Sequence, residues 1–247
     1  MPLVEPSKVM VIDDVAPARH ALIGYLRASG FVAEQGESPE DAVGAIRVRE
    51  FDLALLDTEN LSGISATELC HQIRATGKPI GILVITGAHV EKEIVQALEA
   101  GADDYITKPF RTAELISRCH VVLHRVRAIP APEENSFTVG ELHLDVDRHQ
   151  LRKAGKLVHL TPTEFSLLTF LMKNQGTALT HSQLLRTIWG PEYGQELEYL
   201  RSYIRLLRKK IEAQPSQPKY LLTEPWVGYR FCGPASSDQV ASARQTN

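Results

Sequence analysis

Only three of the 247 residues are cysteines, Cys70, Cys119 and Cys232, odd in number and far apart. That spacing builds neither a disulfide framework nor a zinc site and predicts free, buried thiols. No stretch approaches the roughly 20 consecutive apolar residues that span a bilayer. The opening MPLVEPSKVMVIDD lacks the charged, then apolar, then small pattern of a secretory signal. Both absences predict a cytoplasmic location and no membrane partner. A Gly-Lys-Ser/Thr phosphate loop, a Gly-x-Ser-x-Gly elbow and a His-Glu-x-x-His helix are also missing, which removes the commonest signatures of nucleotide hydrolysis, acyl transfer and zinc proteolysis.

Hydrophobic content of 43% and charged content of 23% fit a globular chain, with enough apolar material for two cores. The net charge of −3 conceals an asymmetry. Residues 1–135 carry 13 Lys and Arg against 20 Asp and Glu, a balance of −7, whereas residues 136–247 carry 14 against 10, a balance of +4. An acidic half joined to a basic half predicts that the second half meets a polyanion.

In the first half, short apolar runs alternate with amphipathic stretches. Val9-Met10-Val11-Ile12, Leu53-Ala54-Leu55-Leu56 and Ile82-Leu83-Val84-Ile85 read as strands covered on both faces, with weaker strands at Val32–Glu34 and Tyr105–Thr107. Helical patterns fall at Ala16–Ser29, Pro39–Arg49, Thr67–Ala75, Glu91–Ala100 and Thr112–Arg127. Strand–helix alternation repeated five times predicts an α/β doubly wound, parallel five-stranded domain over residues 1–127. Residues 128–135, with two prolines and two acids, read as a linker. Residues 136–233 change character: short strands within Phe137–Leu144 and Gln150–Leu160, helices at Thr163–Asn174, His181–Trp189 and about Glu196–Glu212, and a closing hairpin of Tyr220–Thr223 and Tyr229–Cys232. Thr161, Pro162 and Glu164 mark one helix start, and Thr180 caps the next. Residues 234–247 are small and polar and are expected to form a disordered tail.

Asp13-Asp14 follows the first strand, Asp57 the third, Thr86 the fourth and Lys108-Pro109 the fifth. A doubly wound sheet gathers the carboxyl ends of its strands, so these groups converge. Clustered carboxylates repel one another and require a cation; all-oxygen ligands favour Mg²⁺, which also bridges to phosphate. An Asp carboxylate can act as a nucleophile and form an aspartyl phosphate. A Lys ammonium and a Thr hydroxyl would then hold the phosphoryl oxygens.

These motifs, Val-Ile-Asp13-Asp14, Leu-Leu-Asp57, Val-Ile-Thr86-Gly and Gly-Ala-Asp103-Asp104-Tyr105-Ile-Thr-Lys108-Pro109-Phe110, resemble the receiver domains of bacterial two-component response regulators over residues 8–127. The resemblance implies Asp57 as phosphoacceptor, with a sensor histidine kinase as donor. It implies Asp14, Asp57 and the backbone carbonyl of Glu59 as metal ligands, Asp13 acting through water, Lys108 as phosphate partner, and Thr86 with Tyr105 as a switch pair. The sequence departs from the pattern after the acceptor. Leu61 stands where a Pro is usual and Ser65 where a Gly is usual, and Glu59 sets a carboxylate beside the phosphoryl position. A differently shaped loop over Thr58–Ser65 and altered phosphorylation rates are the expectations.

In the last helix Leu197, Leu200, Ile204, Leu207 and Ile211 form one apolar face, while Arg201, Arg205 and Arg208 lie within roughly 60° of one another with Lys209 at the margin. Arginines there can reach guanine edges or clamp phosphates. The motifs Leu160-Thr-Pro-Thr-Glu164-Phe-Ser-Leu-Leu168, Thr180-His-Ser-Gln-Leu-Leu185, Leu200-Arg201, Leu207-Arg208-Lys209-Lys210 and Gly228-Tyr229-Arg230-Phe231 resemble the winged helix-turn-helix output domain of the OmpR/PhoB class, an α+β fold. The resemblance implies a transcription regulator rather than an enzyme. It places the last helix in the major groove of double-stranded promoter DNA, makes Arg201, Arg205, Arg208 and Lys209 DNA contacts with Arg230 on the wing, and implies RNA polymerase as a further partner. Pro225-Trp226 replaces the common Arg-Gly before the wing tip. The wording of the second half is most similar to the Kdp-type regulators of potassium-transporter genes. The class forms a homodimer on activation. Asp104, Glu114 and Arg118 match its ion-pair positions, and Ile94 stands where a basic residue is usual. Two other readings stay open: a regulator independent of phosphorylation, and an Asp-nucleophile phosphohydrolase, which normally has a second Asp where Glu59 stands.

Overall fold

The computed structural model describes residues 5–61, 63–87, 91–127, 136–191, 193–194 and 196–233. The expected linker and tail lie outside them. The chain divides into two compact units, Met1–Ala128 with Thr161–Thr163, and Ile129–Leu160 with Glu164–Asn247, which are taken separately.

The first unit runs β1 (Lys8–Ile12), α1 (Ala16–Ala28), β2 (Val32–Gln35), α2 (Pro39–Val48), β3 (Leu53–Asp57), α3 (Ala66–Ala75), β4 (Gly81–Thr86), α4 (Glu91–Glu99), β5 (Asp104–Thr107) and α5 (Thr112–Arg127). The five strands are parallel in the order β2-β1-β3-β4-β5. This is the predicted doubly wound sheet, with element ends within about two residues of the sequence reading. Every residue of β3 and β4 is buried, as continuous apolar runs between two helical layers require. Val9, Val11, Leu53, Leu55, Leu83 and Ile85 pack against Leu22, Ile23 and Leu26 of α1 and Leu115, Cys119, Val122 and Leu123 of α5. The intervening residues face the opposite layer.

Local chemistry explains the helix starts. Ser38 accepts a hydrogen bond from Asp41 N at 3.1 Å to cap α2, and Ser65 accepts one from Glu68 N at 3.1 Å to cap α3. Ser65 therefore has a structural task at the place where the receiver pattern has Gly. Arg74 of α3 holds the end of the sheet. Its guanidinium donates to Gly101 O at 2.7 Å and to Asp103 Oδ2 at 2.5 Å, and Ile82 N donates to the same carboxylate oxygen at 2.9 Å.

The second unit opens with four antiparallel strands, β6 (Ser136–Val139), β7 (Leu142–Asp145), β8 (Gln150–Lys153) and β9 (Lys156–Val158), in chain order. The sequence reading grouped Phe137–Leu144 together. The structure breaks it at Gly140-Glu141, where Gly140 has φ 58 and takes the left-handed conformation of a tight hairpin. Next come α6 (Pro162–Lys173), β10 (Ala178–Thr180), α7 (His181–Trp189), α8 (Leu197–Ile211), β11 (Leu221–Glu224) and β12 (Gly228–Phe231). Thr180 and Gln183 make the expected capping box on α7. β10 was not anticipated, because three residues are too few to show alternation. It pairs with β12, giving the antiparallel order β10-β12-β11. Trp189, Tyr203 and Phe231 are fully buried, and the Trp189 ring lies 5.1 Å from Tyr199 and 5.2 Å from Tyr203. The architecture is a winged helix, as predicted.

Candidate functional site

In the first unit the strand ends converge. β3 ends on Asp57 and β4 on Thr86, with Asp57 in register with Ile85. The Asp57 side chain is 2% exposed. Its Oδ1 accepts from Lys108 Nζ at 2.9 Å and from Glu59 N at 3.2 Å, and Oδ2 lies 2.6 Å from the same ammonium. Lys108 thus reaches across 51 positions of sequence to the Asp57 carboxylate. Its backbone N donates to Thr86 O at 2.8 Å, which fixes the stem of the side chain.

Asp13 is also buried. Its Oδ1 accepts from Val15 N at 2.8 Å, while Oδ2 is buried without a hydrogen-bond partner. Burial raises the Asp13 pKa above the ordinary carboxylate value, the Val15 hydrogen bond opposes this, and the nearby charge of Asp57 adds to the rise. Asp14, beside it, is half-buried. Among the described residues no three His, Cys, Asp or Glu side chains form a group that could hold a metal ion; of the expected carboxylates, Asp13 and Asp57 are the buried ones. That pair still suits Mg²⁺, which is held by one or two carboxylates and keeps several waters. The unpartnered Asp13 oxygen is the observation that favours a cation.

Glu59 lies on a short 3₁₀ turn, Thr58–Asn60, that opens the loop after Asp57. This turn was not read from the sequence. The Glu59 carboxylate joins Lys108 Nζ at 3.0 Å and lies over Gly87, where a Cβ would stand 2.2 Å from Oε1. Lys108 therefore serves two carboxylates. Burial pulls its pKa down, but the hydrogen bonds to Asp57 and Glu59 outweigh this and hold it above the ordinary lysine value. The Thr86 hydroxyl is buried without a hydrogen-bond partner and lines a cavity of about 240 Å³ with Thr58, Ser65, Thr67 and Ile94. Tyr105 is half-buried on β5.

The expected dimer positions pair within the chain. Arg118 Nη2 lies 3.1 Å from Glu114 Oε1 and Nη1 lies 3.4 Å from Asp104 Oδ1, a carboxylate with 0% exposure. Ile94 on α4 is half-buried.

In the second unit α8 buries more than the expected stripe: Tyr199, Ser202, Tyr203 and Leu206 join Leu200, Ile204, Leu207 and Ile211. Leu197 is only half-buried. Arg201, Arg205 and Lys209 are exposed along the opposite side. Arg201 pairs with Glu198 one turn earlier. Arg208 behaves differently. It donates to Leu221 O at 2.8 and 3.0 Å and to Thr223 Oγ1 at 2.8 Å, with its guanidinium 6.0 Å from the Tyr229 ring centre. Burial lowers its pKa. Its donors tie the helix to the hairpin. Arg230 Nε pairs with Glu224 at 2.5 Å, within the hairpin. Sequence reasoning missed Glu212, a buried carboxylate whose oxygens accept from Lys219 N, Tyr220 N and Leu221 N, each at 2.9 Å. A Glu among helix-terminal lysines carries no sequence signal for this task.

Comparison with known proteins agrees with the fold of the two units. Residues 9–120 match the response regulator receiver domain, and residues 155–231 match the C-terminal domain of transcriptional regulatory proteins. Among solved structures, a RitR mutant shares 25% identity with a TM-score of 0.76, covering 92% of this chain and 99% of its own. DrrB, a Thermotoga maritima OmpR/PhoB homologue, shares 29% identity over 92% of this chain and 100% of its own, with a TM-score of 0.48. No helix of the described residues is long and apolar enough to cross a membrane.

Proposed function

Starting from a two-component transcriptional regulator built of a receiver and a DNA-binding winged helix, we propose that phosphorylation of Asp57 by a sensor histidine kinase controls binding to promoter DNA. The observation that carries the reading is the contact of Lys108 with both oxygens of the buried Asp57. An Asp57 oxygen attacks the phosphorus of the donor, the bond to the donor's leaving group breaks, and an acyl phosphate results. Lys108 stays beside the acceptor and neutralises charge on the phosphoryl oxygens, an interaction stronger in a water-poor site. Mg²⁺, when bound, supplies further neutralisation, with Asp13, Asp14, Asp57 and the Glu59 carbonyl as the groups to hold it. The unpartnered Thr86 hydroxyl is a ready donor to a phosphoryl oxygen, which supports Thr86 as one member of the switch pair; Tyr105 as the other rests on the sequence resemblance.

Domain limits of 1–127 and 136–233, a homodimer formed through the face of Ile94, Asp104, Glu114 and Arg118, recruitment of RNA polymerase, and control of potassium-transport genes belong to the same reading. They rest on the sequence resemblance. For DNA contact the exposed positions of Arg201, Arg205 and Lys209 are favoured over Arg208, which is half-buried against Leu221 and Thr223. The test compares promoter-DNA affinity of the wild type and Asp57→Ala, with and without acetyl phosphate and Mg²⁺. The expected result is a rise in affinity for the wild type alone. Equal affinity in all four states would select a regulator independent of phosphorylation.

A further inference from the structure

The most exposed large apolar side chain among the described residues is Trp226, at 101% of its reference area. It sits in the three-residue turn Pro225-Trp226-Val227 that joins β11 to β12, and Val227 beside it is 42% exposed. Trp226 covers no part of the hairpin core. Its backbone lies at φ 66, a left-handed conformation in which Gly is at ease and a bulky residue is strained.

The turn that presents it is pinned at its base. Val227 N donates to Glu224 O at 3.1 Å, and His181 N donates to Val227 O at 3.3 Å. A Cβ on Gly228 would stand 2.1 Å from Leu179 O, so only Gly lets β12 approach β10 this closely. The side chain is thus held outward by a short, fixed loop. A rigid aromatic loses little conformational freedom on binding, which is why Trp is enriched at the energetic centres of interfaces.

The same hairpin is continuous with the basic side of α8. Arg208 holds Leu221 O and Thr223 Oγ1 on β11, and its guanidinium stands 6.0 Å from the centre of the Tyr229 ring on β12. Arg201, Arg205 and Lys209 line the exposed side of that helix. A partner drawn to those cations is a polyanion, and one that also receives an indole must offer an apolar surface between its charges. A DNA duplex does both, through its phosphates and through the sugar walls and base steps of its minor groove.

We propose that Trp226 is an apolar wedge that enters the minor groove of the bound duplex and supplies a contact independent of salt. The proposal rests on the DNA-binding reading of this unit and adds to it the residue and the chemistry of a second contact. Charge from α8 sets the salt dependence. Trp226 adds affinity without adding a counterion term.

The chain has two tryptophans, and Trp189 is fully buried, so a neutral quencher such as acrylamide reaches Trp226 selectively. The experiment uses the full-length protein and a duplex that the protein itself selects from a random library. Quenching is expected to fall several-fold when the duplex is added. Trp226→Ala should weaken binding about tenfold, within the range that one aromatic contact gives, with an unchanged slope of log affinity against log salt. Trp226→Phe should recover part of the loss. Unchanged Trp189 emission in both variants shows that the fold is intact. Undiminished quenching in a complex that forms normally, or equal affinity of wild type and Trp226→Ala, overturns the wedge while leaving the DNA-binding reading in place. Protection that appears only when RNA polymerase is added also overturns it, in favour of a protein partner. Failure to select any duplex would overturn the DNA-binding reading itself.

Discussion

The two units place their working groups in opposite environments. In the receiver Asp13, Asp57 and Thr86 are each 2% exposed, and Lys108 comes from a different strand end to meet Asp57. In the winged helix Arg201, Arg205 and Lys209 stand in solvent on a single helix. Bond making needs a desolvated, preorganised pocket in which an ammonium counts for more than it would in water. Capture of a duplex needs cations that remain hydrated until phosphates replace the water and release counterions. The pocket therefore depends on topology to assemble it, whereas the proposed groove contact depends on helical periodicity.

Four measurements can break or sharpen this contrast. The largest effect is expected at Lys108, where Lys108→Ala should slow phosphoryl incorporation from acetyl phosphate on the order of 10²-fold, followed on phosphate-affinity gels. A change under threefold would mean that the pocket is not organised around this ammonium. Second, Glu212→Ala should cost about 2–3 kcal/mol, because the buried N–H groups of Tyr220 and Leu221 and the part-buried N–H of Lys219 lose their acceptor. Urea unfolding followed by Trp189 fluorescence would report it, and an unchanged midpoint would mean that water replaces the carboxylate. Third, Arg205→Ala should reduce the salt slope of DNA binding by about 1, whereas Arg208→Ala, at a half-buried side chain, should change it less. Equal slopes for the two variants would remove the division between exposed and half-buried arginines. The smallest effect concerns the thiols. Burial pushes Cys70 and Cys119 up to about 12, which favours the neutral thiol in the folded state. That preference persists below pH 12 and is lost only as pH rises through it, so neither should react with a disulfide reagent at pH 8. Half-buried Cys232 should give one fast thiol per chain. Three fast thiols would contradict the packing of α3 and α5.

Legibility in the sequence followed the same division. The parallel five-stranded sheet and the converging groups were readable because each polar residue ends an apolar run, and parallel topology brings run ends together. The 3₁₀ turn at Thr58–Asn60, which sets Glu59 against Lys108, was not readable, since a three-residue turn has no period. On α8 the arginine stripe was visible from spacing. That Arg208 is spent on Leu221 and Thr223 was not, because its partners belong to a strand that begins ten residues beyond the helix end at Ile211. Glu212 was missed for the same reason: its three donors are backbone groups, which leave no pattern in side-chain identity. Trp226 was conspicuous as a departure, but only the fold reveals that it covers nothing.

The central claim is that Asp57, held by Lys108 at the end of β3, accepts the phosphoryl group. The most direct measurement treats the protein with acetyl phosphate and Mg²⁺, traps the acyl phosphate with borohydride, and maps the reduced side chain by peptide mass spectrometry. Reduction at Asp57, with none at Asp13, Asp14 or Glu59, is the predicted result. A trapped phosphoryl group at any of those three, or none under conditions in which the protein remains folded, would contradict it.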